Sequence, residues 1–192
     1  HLDYNVGRLL NYLKNSPLDK NTIIIFTSDN GGSLEHGASN YPFSGEKGDM
    51  LEGGIRVPCL VKLANHTQKM GNDTPLLLMD FYPTLIKLAG GIVEKELPST
   101  LIPLVASSKI MAQDRNMIWM RREGHKYGGR DYYAISDGRY KLLQNNPFSP
   151  CQLFDLLEDP QETKPINLPD KESNLFKELT KHIQTAGAIP WQ

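Results

Sequence analysis

Asp29 and Asn30 set a carboxylate beside an amide carbonyl at the end of the apolar run NTIIIFT, and Gly31 and Gly32 follow them. Two hard oxygen donors on adjacent residues suit Ca²⁺ or Mg²⁺, and glycines let the backbone approach a ligand closely. The same four residues also make a good Asx-turn that does no more than end a strand, and spacing alone leaves both readings open. Lys47 stands in SGEKGDMLEGG, bracketed by Gly45 and Gly48. A flexible ammonium on such a loop can reach a tetrahedral oxyanion as a point charge, or simply be solvated. Glu52 and Arg56 flank Gly53, Gly54 and Ile55; the expectation for them is an ion pair pinning the loop to the next strand. His36, in SLEHGASN, is a candidate proton donor or substrate contact, although a lone loop histidine is more often neither. RREGHKYGGR gathers Arg121, Arg122, His125, Lys126 and Arg130 with three glycines. It could clasp an anionic group or be a solvated basic loop.

Other chemistries have no foothold. There is no Gly-x-Ser-x-Gly, no Walker loop and no His-Glu-x-x-His. Lys plus Arg number 21 against 22 Asp plus Glu, so no global field favours nucleic acid or an acidic membrane, and any anion site must be local. The two cysteines, Cys59 and Cys151, lie far apart and in no metal or redox spacing. No apolar run approaches the roughly 20 residues of a membrane span. HLDYNVGRLL lacks the layout of a signal peptide and reads as the middle of a helix, so the expectation is a piece of a longer chain.

The elements that must position these groups follow from periodicity. Val6, Leu9, Leu10 and Leu13 predict an amphipathic helix over 3–16 with Asp3 as N-cap. Residues 22–27 are apolar without alternation, which predicts a strand covered on both faces and in a parallel position, with its chemistry at its C-terminal end. Residues 28–54 form a long Gly-, Ser- and Asn-rich connection, a length that is usually functional or disordered. A second short strand is expected over 57–63. A helix with Pro83 in its first turn is then expected to stop at Gly90 and Gly91. Beyond a Pro- and Ser-rich stretch the period changes to successive strands over 117–121, 132–136, 139–144 and 152–156. Asp137 and Gly138 supply a hairpin turn, and a final helix carries Leu175, Phe176, Leu179 and Ile183.

Six stretches, VGRLLNYL, NTIIIFTSDNGG, GEKGDMLEGGIRVP, MDFYPTLIKLAG, DGRYKLL and QLFDLLEDPQE, occur in an order that resembles the type I sulfatase family of the alkaline-phosphatase superfamily. The resemblance implies an α/β fold. Residues 1–105 would be the tail of a mostly parallel αβα sandwich, and 106–192 a small α+β subdomain with a four-stranded antiparallel sheet and a C-terminal helix. It also implies that Asp29 and Asn30 are ligands of a Ca²⁺ that holds the sulfate, and that Lys47 contacts sulfate oxygens, which favours the metal reading over the turn. Arg122, His125 and His36 become substrate contacts, with the basic loop gripping a second sulfate or a uronate.

The family's nucleophile is a formylglycine made from the cysteine of Cys-x-Pro-x-Arg, and here Cys59 stands in PCLVK and Cys151 in PCQLF. The chain therefore resembles the C-terminal part of a sulfatase, with formylglycine and the first metal acids expected upstream. Alone it is expected neither to hydrolyse sulfate esters nor to bind Ca²⁺ tightly, and its stripped strand is expected to drive self-association. The implied partner is a sulfated carbohydrate, not nucleic acid. The implied compartment is periplasmic or otherwise exported, lysosomal in a eukaryote. Two alternatives remain open: a phosphoester or phosphonate hydrolase of the same superfamily, and a non-catalytic carbohydrate-binding module.

Overall fold

The computed structural model describes residues 1–64, 71, 73–93, 115–122, 131–145 and 149–186. Its regular elements in chain order are α1 (Leu2–Lys14), β1 (Ile24–Thr27), α2 (Glu52–Ile55), β2 (Cys59–Lys62), α3 (Phe81–Leu88), β3 (Met117–Arg122), β4 (Asp131–Ser136), β5 (Tyr140–Gln144), β6 (Gln152–Asp155) and α4 (Pro169–Thr185). They fall into two compact units, one of His1–Ser28 with Pro58–Ile110, the other of Asp29–Val57 with Met111–Gln192.

In the first unit α1 forms where the apolar spacing predicts it, but Asp3 is not its cap. His1 takes the N-cap position, and Asp3 lies inside the first turn, where a negative charge still complements the helix dipole. Ser16 caps the following 3₁₀ turn by accepting a hydrogen bond from Leu18 N–H at 3.2 Å. β1 runs antiparallel to β2, with Ile24 opposite Lys62 and Thr27 opposite Cys59. The parallel, doubly covered position expected for residues 22–27 is therefore not seen among the described residues. Phe26 is 43% exposed, and an uninterrupted apolar run cannot by itself specify the direction of the neighbouring strand. α3 starts after Asp80, whose carboxylate accepts from Leu77 N–H at 2.8 Å and whose carbonyl accepts from Thr84 Oγ1 at 2.7 Å. Gly90, at φ 79°, takes the left-handed conformation that follows the helix.

The second unit is built on an antiparallel sheet ordered β3-β4-β5-β6. Asp137 and Gly138 turn β4 into β5, with Gly138 at φ 99° and the Asp137 carboxylate accepting from Arg139 N–H and Tyr140 N–H at 3.0 and 2.8 Å. Side chains alternate between the two faces. Ile135, Leu142 and Leu153 face α4 and pack with its Leu175 and Leu179. Ala134, Leu143 and Phe154 face the opposite way and bury Met50, with Leu51 and Ile55 beside it. One face is thus sealed by a helix, the other by the long connection after β1.

Candidate functional site

Two residues beyond β1, Asp29 is exposed and Asn30 half-buried in a bend. Gly31 N–H donates to Gly54 O at 2.9 Å, so the bend is clipped to α2. The clip requires glycine, because a Cβ on Gly31 would run into the Gly53 carbonyl. Lys47 N–H donates to Gly32 O at 3.1 Å, and Gly53 N–H donates to Ser44 O at 2.7 Å. Asn40 closes the frame: its Oδ1 accepts from Gly32 N–H at 2.8 Å while its Nδ2 donates to Gly32 O and Gly45 O at 2.9 and 3.0 Å. These bonds bring the backbones of turn 29–32 and loop 44–47 onto one frame based on α2. The Lys47 side chain is exposed, between Gly45 at φ 87° and Gly48 at φ 100°.

Beneath the frame lies a buried charge cluster. Lys141, on the loop-facing side of β5, has no exposed surface; its Nζ is 3.0 Å from Glu52 Oε1 and 2.8 Å from Glu162 Oε1. Glu162 Oε2 accepts from Glu52 N–H at 2.6 Å, and Glu52 Oε2 pairs with Arg56 at 3.4 Å, the ion pair expected from sequence. Burial pushes the Glu162 carboxyl above its ordinary value, and Lys141 offsets this only in part. Sequence reading missed Lys141, Glu162 and Asn40. The first had a usable signal: alternation along Tyr140-Lys141-Leu142-Leu143 puts Lys141 on the same face as Leu143. Glu162 and Asn40 had none, since their partners are far away in sequence or are backbone carbonyls.

Of the other candidates, only His36 has a described side chain, and among the described residues no hydrogen bond joins it to this frame. His36 is exposed on a 3₁₀ turn with its Nδ1 3.1 Å from Ser33 Oγ, while the neighbouring Leu34 N–H donates to Glu46 Oε2 at 2.7 Å. Arg122 ends β3, its backbone opposite Asp131. His125 lies outside the described residues. As a cation site, Asp29 and Asn30 fit in kind. Asn30 Nδ2 is committed to Gly31 O at 2.8 Å, which fixes the other end of the amide as the oxygen donor. They do not suffice in number, because Ca²⁺ takes about 6–8 oxygens, and among the described residues no three or more His, Cys, Asp or Glu side chains converge on a metal position.

Against this geometry stand the comparisons with known proteins. A family profile described as Sulfatase matches residues 1–92. "Arylsulfatase H" of Canis lupus familiaris is 30% identical over 222 residues, covering 96% of this chain and 39% of that protein. The crystal structure of Ps i-CgsB superposes with a TM-score of 0.78 at 30% identity, covering 93% of this chain and 40% of that one. The same protein in complex with k-i-k-neocarrahexaose gives 0.74 at 29% identity and the same coverage. The chain thus spans about two-fifths of the length of the relatives it matches.

Proposed function

The chain belongs to the sulfatase family of the alkaline-phosphatase superfamily, and on that premise we propose that it is the portion of a sulfatase that supplies two metal-ligating side chains and a sulfate-binding lysine. The observation that carries this reading is the shared backbone frame, in which Gly31 N–H bonds Gly54 O and Lys47 N–H bonds Gly32 O. It ties the Asp29–Asn30 pair and Lys47 to the same short helix. Asp29 and Asn30 would hold a Ca²⁺ ion, or Mg²⁺, whose charge offsets that of the sulfate oxygens as the ester bond breaks. Lys47 Nζ would donate to the same oxygens, electrostatic stabilisation of the group being transferred. Formylglycine and the remaining metal ligands would come from polypeptide beyond these 192 residues, so the chain alone is inactive on this reading.

The substrate we propose is a sulfated carbohydrate. Its support is the oligosaccharide-bound relative together with the basic segment that contains Arg122 and His125, which would contact anionic groups away from the reacting sulfate, with His36 as a further contact. Such an enzyme would act outside the cytoplasm, in a periplasm or, in a eukaryote, a lysosome or other exported location. The test is Lys47→Ala in the full-length enzyme. It lowers kcat by about 10²- to 10³-fold, the loss typical of removing one donor to a developing anion. An unchanged kcat overturns the role of Lys47 and with it the reading of the site.

A further inference from the structure

Lys141 is a fully buried charged group that the proposed chemistry leaves unused. It lies on β5, 89 residues from Glu52 in sequence, yet its ammonium sits between the carboxylates of Glu52 and Glu162 at 3.0 and 2.8 Å with no exposed surface. A lysine is seldom fully buried unless it is paired, and here the pairing has a direction. Glu52 is the first residue of α2, and Glu162 holds the same residue a second time by accepting its N–H at 2.6 Å. Glu162 does so from a left-handed backbone conformation, φ 57°, which a non-glycine residue adopts only when its surroundings impose it. α2 is in turn the element whose Gly54 O receives Gly31 N–H and whose Gly53 N–H reaches Ser44 O. A continuous set of bonds therefore runs from the sheet through Lys141 and Glu162 to Glu52, and from α2 to turn 29–32 and loop 44–47.

We infer that Lys141 is a positioning residue: together with Glu162 it fixes α2 to the sheet and so sets where the Asp29–Asn30 pair and Lys47 stand. Its catalytic significance rests on the reading of those three residues given above, while the mechanical link rests only on the contacts. Removing the ammonium leaves Glu52 and Glu162 facing each other as buried carboxylates without the cation between them, and their repulsion acts directly on the first residue of α2.

The experiment compares Lys141→Met, Lys141→Met with Glu162→Gln, and Lys47→Ala in the full-length polypeptide that carries this chain. Circular dichroism first establishes that each variant is folded, and amide hydrogen exchange and steady-state kinetics follow. Lys141→Met is expected to speed exchange at the Gly31 and Lys47 amides while β4 and β6 stay protected. Its kcat/KM per folded molecule should fall by about 10- to 100-fold, the usual effect of losing a group that orients a site residue from behind. Adding Glu162→Gln should recover most of both, since the introduced side-chain amide still offers an oxygen to Glu52 N–H and turns an N–H toward the Glu52 carboxylate. If Lys141→Met does not fold, Glu162→Gln alone, which turns an amide N–H toward the Lys141 ammonium, should show the same faster exchange at Gly31 and Lys47. Unchanged exchange at those two amides in folded Lys141→Met, or in Glu162→Gln where Lys141→Met does not fold, overturns the inference, as does failure of the double substitution to restore them. A normal kcat in Lys47→Ala refutes the site reading and the catalytic part of this inference. Loss in Lys47→Ala with full activity in Lys141→Met refutes this inference alone.

Discussion

Glycines explain why the bend after β1 can be clipped so closely to α2. A Cβ on Gly53 would meet the Ser44 carbonyl, backbone that cannot swing aside, whereas Gly7 in α1 has nothing within 4 Å of such an atom. Gly53→Ala should therefore destabilise the fold by about 1–3 kcal/mol, while Gly7→Ala should stabilise it by about 0.5–1 kcal/mol through helix propensity; urea denaturation of the two variants checks the opposite signs. Acid sensitivity also resolves to single residues. Arg139 donates to Asp155 at 3.2, 3.1 and 2.7 Å, and these bonds hold the Asp155 carboxyl below its ordinary value. A depressed carboxylate contributes stability above its unfolded pKa and loses it as pH falls through the folded one. Asp155→Asn should accordingly flatten the acid limb of a Tm-against-pH profile below about pH 4; an unchanged limb would refute this. Glu162, raised by burial, has the opposite sign: its contribution is present in acid and is lost as pH climbs through its folded pKa. Asp29, Asn30 and Lys47 could be picked out in the sequence because their types and flanking glycines are local signals. What Lys141 and Glu162 do was not legible locally, because the partner they share, Glu52, lies 89 and 110 residues away from them; only the face on which Lys141 stands is written in the alternation of β5.

At the level of elements, the four strands, the Asp137-Gly138 turn and the closing helix were legible because period and turn chemistry are written within a few residues. α4 buries Leu175 and Leu179 against Ile135, Leu142 and Leu153. Leu175→Ala or Leu179→Ala should cost about 2–5 kcal/mol, the range for a leucine removed from a packed core, whereas Phe176→Ala, at a half-exposed position, should cost much less. Denaturant midpoints of the three variants test the assignment of the helix face. The antiparallel pairing of β1 with β2 was not legible, since an apolar run does not say which strand lies beside it. That connection 29–57 covers the second face of the sheet was also out of reach, because a Gly- and Ser-rich segment carries its packing in isolated residues such as Met50.

Taken whole, the molecule is unevenly sealed. The buried Met, Ala, Ile, Leu and Phe side chains among the described residues all belong to the second unit, whereas the first leaves Leu9 57%, Leu60 65% and Ile92 85% exposed. Apolar side chains exposed in this way favour association, and the chain spans about two-fifths of the length of the relatives described above. The isolated 192-residue chain should self-associate in a concentration-dependent way in light scattering, and a stable monomer at tens of micromolar would contradict this. The burial of Lys141 has a further use at the bench. An amine-acylating reagent should modify the exposed Lys47 at once and reach Lys141 only when β5 and its cover part, so the lag between the two adducts in a mass spectrum becomes a clock for the opening of the second unit.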